Sequence, residues 1–228
     1  MAYVVTPEPI PTLPVLGTSD LLRVNRIFCV GRNYADHVRE MGHDPEREPP
    51  FFFLKPNHAL LPQGRDFPYP PASRNVHYEF ELVAAIGKGG ADIPVADALN
   101  HIYGYAVGLD MTRRDLQLQA QKMARPWEVG KAFDCSAPCS AVAPASKIGH
   151  PKKGAIWLER NGKRVQSSDL SALIWNVPEI IAQLSTLFRL TPGDLVFTGT
   201  PAGVGPVQPG DVLHGVVEGV GELTVRIV

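Results

Sequence analysis

The chain has 228 residues, 44% hydrophobic and 20% charged, with a net charge of −1, a composition that suits a globular protein with a core of its own. It contains no basic block of the kind that binds nucleic acid electrostatically, and no apolar run near the roughly 20 residues of a membrane helix. The opening MAYVVTPEPIPTLPVLG has neither the basic start nor the apolar stretch of a secretory leader, and the three cysteines form no disulfide framework, which points to a reducing, cytoplasmic setting.

In chain order, residues 1–24 read as an extended, Pro-rich lead-in over the body, and residues 25–228 as a single domain. A short apolar strand is expected over 26–30, with Cys29 a small core residue. The turn Gly31-Arg32-Asn33 follows, then a polar helix over 35–41 that the prolines of 44–50 interrupt. Phe51 to Leu54 reads as a buried strand. Residues 77–86 alternate with a period of two: Tyr78, Phe80, Leu82, Ala84 and Ile86 share one face, His77, Glu79 and Glu81 the other. Glycines at 87, 89 and 90 end that strand. A helix is expected over 95–100, then a second alternating strand over 103–110, where Gly104, Ala106, Gly108 and Asp110 form a face of small residues with room for something bulky.

Thr112 to Asp115 has the pattern of a capping box, opening a helix to about Met123. Asn161-Gly162 marks a hairpin turn. Pro178 opens the clearest helix, with Ile180, Ile181, Leu184, Leu187 and Phe188 as its apolar stripe. Turn signals at 192–194 and 209–211 separate the last strands. Many short strands, few helices, 21 glycines and 22 prolines predict a mixed α+β, mainly β fold with a rolled, barrel-like sheet.

Four groups of residues could carry chemistry. Glu79 and Glu81 project from one side of a strand about 6–7 Å apart, and if Asp110 closes on them the three charges need a cation. An all-oxygen trio suits Mg²⁺ or Mn²⁺; a solvated strand face is the alternative. His37 and Glu40 are neighbours on a helix, so the carboxylate can orient the imidazole as a base; incidental surface pairing is the alternative. Lys131, among apolar and aromatic neighbours, either reaches a substrate oxygen or snorkels to solvent. The loop Thr198 to Gly205 lacks a P-loop ending and fits a backbone-lined substrate loop or a plain turn. Cys135 and Cys139 lack companions at zinc spacing, and nothing supports a covalent nucleophile.

Several stretches, in order, resemble the fumarylacetoacetate hydrolase family: GRNYADH at 31–37, FLKP at 53–56, YEFEL at 78–82, GLDMTRRDLQ at 108–117, GKAFD at 130–134 and TGTPAGVG at 198–205. Within it, the wording of 47–53 and 124–128 is most similar to the fumarylpyruvate hydrolases of gentisate breakdown. The resemblance implies the family's rolled catalytic-domain fold and a homodimer. It implies Glu79, Glu81 and Asp110 as metal ligands for Mg²⁺ or Mn²⁺, and His37 with Glu40, on a mobile lid, as the water-activating pair. Lys131 would serve the substrate oxygen, while Arg32, Arg114, Gln117 and Thr200 would bind substrate. Arg32, Arg114 and Arg125 are the candidates for the far carboxylate. The expected reaction is metal-dependent hydrolysis of the carbon–carbon bond of an acylpyruvate, a small dicarboxylic keto acid such as fumarylpyruvate. The short chain argues against fumarylacetoacetate itself. Oxaloacetate decarboxylation, isomerisation of 2-hydroxyhepta-2,4-diene-1,7-dioate, and a non-catalytic metal- or acid-binding module are the alternatives.

Overall fold

The computed structural model describes residues 3–42 and 48–228. An eight-stranded mixed sheet holds the centre of the molecule. Its order is Phe51–Lys55, Ile27–Gly31, Leu195–Phe197, Phe80–Ile86, Ile102–Leu109, Ala137–Cys139 and Leu60–Pro62, with Ala143–Pro144 paired alongside Ile102–Leu109. Pairing is antiparallel except where Leu195–Phe197 meets Ile27–Gly31 and where Ala137–Cys139 meets Leu60–Pro62.

Every residue of Phe80–Ile86 is buried, so its alternation sorts residues between two cores rather than between core and solvent. Leu82, Ala84 and Ile86 enter the larger core. A second sheet, ordered Lys163–Asp169, Ala155–Arg160, Val212–Val217 and Gly221–Arg226, closes it together with the helix Val177–Leu187. Val83 and Ala85 enter a smaller core with Ile27, Cys29 and Phe197, which Leu13 and Val24 of the lead-in cover. Full burial of such a Leu or Phe contributes about 1.5–3 kcal/mol each. The lead-in pairs Thr12–Pro14 with Leu21–Arg23. The fold is mainly β, a rolled sheet with five short α-helices among the described residues.

Several expectations are corrected by long-range packing. The strand expected over 77–86 breaks at Glu79: Val76–Tyr78 joins a three-stranded sheet with Gly205–Pro206 and Thr112–Arg113, while Phe80–Ile86 stays in the large one. The Phe80 amide leaves the ladder and donates to Gln166 Oε1 at 3.1 Å. Phe51–Lys55 is an edge strand with one partner, and Phe51 and Leu54 are each 37% exposed rather than buried. The helix expected over 95–100 is a 3-10 turn at Ala98–His101, with Asn100 N donating to Asp97 O three residues back.

No capping box forms at Thr112–Asp115. Thr112 belongs to a strand, the helix is Arg114–Lys122, and the Asp115 carboxylate accepts from Ser73 Oγ and Arg74 N. A reciprocal box forms instead at Asn176 and Glu179, ahead of Val177–Leu187. That helix buries Ile180, Ile181 and Leu184, but Leu187 is exposed because the last turn passes the edge of the core. The room beside the small-residue face is filled by protein. A Cβ on Gly108 would meet the Phe197 ring, and one on Gly104 the Ala143 carbonyl. The Asn161-Gly162 turn forms as expected, with φ of 53° and 75°. Positions 43–47, which hold most of the Pro-rich break expected after the 35–41 helix, lie outside the described residues.

Candidate metal centre and active site

The break at Glu79 builds the site. Asp110 N donates to Glu79 O at 2.8 Å, continuing the pairing of Phe80 with Leu109 and Glu81 with Gly108 one step beyond the strand ends. Glu79, Glu81 and Asp110 thereby converge, each offering a carboxylate oxygen within 4.8 Å of the others, and all three are buried. The solvated-face alternative is excluded.

Three cations surround the triad, and their ion pairs go to Glu79 and Asp110 rather than to Glu81. Lys131, in the helix Glu128–Lys131, directs its ammonium to Glu79 Oε2 at 2.9 Å, Asp110 Oδ2 at 2.7 Å and Thr112 Oγ1 at 2.7 Å, which uses all three of its hydrogens. It does not snorkel, being 2% exposed. Arg114 donates to Glu79 Oε1 and, at 2.5 Å, to Gln117 Oε1. Lys55, fully buried at the end of its edge strand, lies 2.8 Å from Asp110 Oδ1 and donates to the carbonyls of Met111 and Lys131.

These contacts set the acids apart. Burial pushes Glu79 up, but the charges of Lys131 and Arg114 more than reverse that and hold it well below the ordinary carboxylate range. Burial pushes Glu81 well up, and Asp110 and Glu79 beside it push the same way, opposed by the Gly199 amide donating at 2.7 Å. Burial disfavours the charge on Lys131, but Asp110 and Glu79 outweigh it and raise its pKa. An acid left at this disadvantage suits an added cation. Three converging carboxylate oxygens match the hard-oxygen donor set of Mg²⁺ or Mn²⁺, so Glu79, Glu81 and Asp110 fit such an ion.

His37 lines the same cavity, of about 50 Å³, as the triad. Its Nδ1 lies 3.1 Å from Glu40 Oε2, and Glu40 is held in turn by the Gly203 amide at 3.0 Å. The Gly-rich loop of 198–205 thus supplies amides to Glu81 and to Glu40, and Gly203 must be glycine: its φ is 97° and a Cβ would meet the Val165 carbonyl. Thr200 Oγ donates to Phe80 O at 3.0 Å and accepts from Gln166 Nε2 at 2.9 Å. Phe51, Phe53 and Trp127 form an aromatic wall, the Phe51 and Trp127 rings edge-on at 5.3 Å. Arg32 stands at that wall, its guanidinium 5.8 Å from the Phe51 ring, on a backbone φ of 57°.

Of the residues expected from sequence, His37, Lys131, Arg32, Arg114, Gln117, Thr200, Glu79, Glu81 and Asp110 all line this cavity, and Glu40 reaches it through His37. Arg125 does not; it is exposed and borders a separate depression with Leu116 and Met123. Three supporting residues were missed. Lys55 carried two signals, its place in the FLKP stretch and its position closing a run of aromatic residues, where a charge needs a partner. Asn33, which donates to Trp175 O and Thr198 O, lies in the GRNYADH stretch without an assigned role, and Gln166, which ties Phe80 N to Thr200, carried no signal.

The rolled, mainly-β fold thus surrounds a buried acidic triad that could hold a divalent cation, with an oriented imidazole lining the same cavity. Residues 26–228 match the family described as Fumarylacetoacetate (FAA) hydrolase C-terminal, and the chain belongs to that family. It is 49% identical over 184 residues to a fumarylpyruvate hydrolase of Ralstonia sp, covering 81% of this chain and 95% of that one. It is 42% identical over 201 residues to the mitochondrial oxaloacetate tautomerase of Homo sapiens, covering 88% and 90%. Among solved structures, the fumarylpyruvate hydrolase from Pseudomonas aeruginosa in complex with Mn²⁺ and pyruvate superposes with a TM-score of 0.97 at 55% identity, over 100% of this chain and 99% of that one.

Proposed function

We propose that this protein hydrolyses the carbon–carbon bond of fumarylpyruvate, giving fumarate and pyruvate, with Mg²⁺ or Mn²⁺ at Glu79, Glu81 and Asp110. The observation that carries the reading is the His37–Glu40–Gly203 relay beside the triad, because hydrolysis needs a base for water where simple binding needs none. The 55% identity to a fumarylpyruvate hydrolase over the whole chain supports the choice of acyl group.

Glu79, Glu81 and Asp110 would hold the divalent cation, which when bound would supply Lewis acidity to the keto acid. Glu40 occupies His37 Nδ1, so Nε2 is the atom that takes the proton from water as oxygen attacks the distal carbonyl. The same carboxylate stabilises the imidazolium that results. The proton is then available to the pyruvate carbon as the bond to the acyl group breaks, so fumarate keeps the water oxygen and pyruvate gains the hydrogen. Phe51, Phe53 and Trp127 give the cavity an apolar wall.

A second reading, interconversion of the keto and enol forms of oxaloacetate, is favoured by the 42% identity to an oxaloacetate tautomerase. It breaks no carbon–carbon bond and consumes no water. The test is to follow fumarylpyruvate absorbance with chelator-stripped protein before and after Mn²⁺ or Mg²⁺, quantifying fumarate and pyruvate. Equimolar products that depend on metal, with a loss of about 10²–10⁴-fold in His37→Ala, support hydrolysis. No cleavage, but metal-dependent enol-to-keto conversion of oxaloacetate, selects the second reading.

A further inference from the structure

A cavity larger than the catalytic one lies away from the triad. This second cavity of about 540 Å³, against about 50 Å³ at the triad, opens beside the 3-10 turn Ala98–His101 and the start of the helix Val177–Leu187. Its size lies within the roughly 300–1,000 Å³ typical of small-molecule sites. Leu99, Leu170 and Leu173 supply an apolar wall, and Tyr105, 1% exposed, places its hydroxyl 2.8 Å from His150 Nδ1. Among the described residues, Lys152 and His150 carry the ionisable nitrogens of the lining, and none of the lining residues is a carboxylate.

From this chemistry we infer that the cavity is a second binding site, for a small aryl carboxylate, and that its occupation is felt at the helix bearing His37. The ring lies against the leucines and the Tyr105 edge, and the carboxylate meets Lys152 at the mouth. An apolar body with one anionic end matches the lining, whereas a cation or a dianion would leave a charge without a partner.

The connection to the catalytic base is a single continuous segment. Leu170 and Leu173 line the cavity, and Leu173 also forms an antiparallel bridge with Tyr34. Ile174 N donates to Asn33 O at 2.9 Å and Trp175 N to Asn33 Oδ1 at 2.7 Å. Asn33 Nδ2 donates back to Trp175 O at 2.9 Å and on to Thr198 O at 2.8 Å, in the loop that holds Glu81 and Glu40. Tyr34 immediately precedes the helix Ala35–Glu40, which is only six residues long and has no side-chain cap at its start. A ligand that fixes Leu170 and Leu173 therefore fixes the clamp on Asn33, and ordering of this kind couples sites without a change of fold. Binding there is independent of which keto acid the catalytic cavity takes.

The test uses trans-cinnamate as the probe, with the Mn²⁺-loaded protein, by calorimetry and by hydrogen exchange resolved to peptides. Saturable binding is expected, weakened about tenfold or more by Lys152→Glu, which reverses the charge at an exposed position, and abolished by Leu99→Trp, which fills the cavity. Protection is expected to increase in peptides spanning 170–176 and 33–40 together. Affinity unchanged in both variants, or no binding at all, overturns the site. Protection at 170–176 without any at 33–40 overturns the coupling to the His37 helix.

Discussion

The three-residue strand Leu195–Phe197 has a buried acid at each end, and the two are treated in opposite ways. Before it, Asp194 is fully buried and its oxygens accept from Asn25 Nδ2 at 2.9 Å, Arg26 Nε at 3.0 Å, Arg26 NH2 at 2.5 Å and Thr191 N at 2.8 Å. One acid meets one cation and two neutral donors, and the turn that carries it has glycine at its left-handed position, Gly193 with φ 88°. Beyond the strand, Glu81 receives one amide hydrogen from Gly199, while the nearby cations are drawn to Glu79 and Asp110. There too the loop has a left-handed glycine, Gly199 with φ 100°, but the neighbouring turn after Ile27–Gly31 puts a non-glycine residue, Arg32, at φ 57°. The first end is complete in itself and serves stability. The second is left electrostatically and sterically unfavourable, as expected of a site completed by what it binds.

Removing Asp194 gives the largest expected effect. Asp194→Ala strands the Arg26 charge and the Thr191 amide. Because Arg26 is about one-third exposed (32%), the cost falls near the lower end of the range for breaking a buried pair, about 3 kcal/mol, or roughly 6–12 °C in Tm for a chain of this size. Mn²⁺ affinity measured on the folded protein is expected to be unchanged. A parallel loss of Mn²⁺ affinity would show that the two ends are energetically one unit, and the contrast between them would fail.

Glu81→Gln is expected to do the reverse: little or no loss of stability in the metal-free protein, and a fall in Mn²⁺ affinity of about 100-fold, near 2.7 kcal/mol. The pH dependence sharpens this. Burial and the neighbouring Asp110 and Glu79 raise Glu81 well above the ordinary glutamate value of 4.5, so in the metal-free protein the fold retains a proton that the unfolded chain releases above that pH. Protons bound are then greater in the native state, and stability falls as pH rises from about 4.5 towards the raised value, at up to about 1.4 kcal/mol per unit. Denaturant titrations of the metal-free protein at successive pH values are expected to show that slope in the wild type and to lose it in Glu81→Gln. Glu79, held low, contributes in the opposite sense and only below the ordinary carboxylate range. An equal slope in both proteins would assign the proton to another group.

The contrast between the two ends also explains what was legible in the sequence. Glu79, Glu81 and the His37–Glu40 pair are two or three residues apart, so periodicity alone places each pair on one face, and the ordered family motifs supply Asp110 and Lys131. Lys55 finds Asp110 across 55 positions and Gln166 finds Phe80 across 86, distances at which a single sequence carries no pairing signal. The same blindness hid the break at Glu79. An unbroken alternation from His77 to Ile86 describes a strand equally well whether Phe80 N bonds a neighbouring strand or a glutamine side chain. The small-residue face of Gly104, Ala106 and Gly108 was read correctly as space, but what fills it at Gly108 is Phe197, from the strand between the two acids.

The smallest effect concerns the strained position itself. Gly31 pairs with Phe51 at the end of the edge strand, and a Cβ on it would fall inside the Phe51 ring, so residue 31 must be glycine; Arg32 follows it in the left-handed region at φ 57°. A left-handed non-glycine residue costs about 1–2 kcal/mol. Arg32→Gly removes most of that strain but gives a more flexible unfolded chain, so a net gain of about 0.5–1 kcal/mol in the metal-free protein is expected. If the guanidinium is retained for a substrate carboxylate, the variant raises KM for fumarylpyruvate while kcat changes less, as for a group that binds ground state and transition state alike. More stability together with a higher KM would identify Arg32 as strain kept for binding. More stability with KM unchanged would leave the far carboxylate to Arg114, whose guanidinium would then have to leave Glu79 when substrate binds.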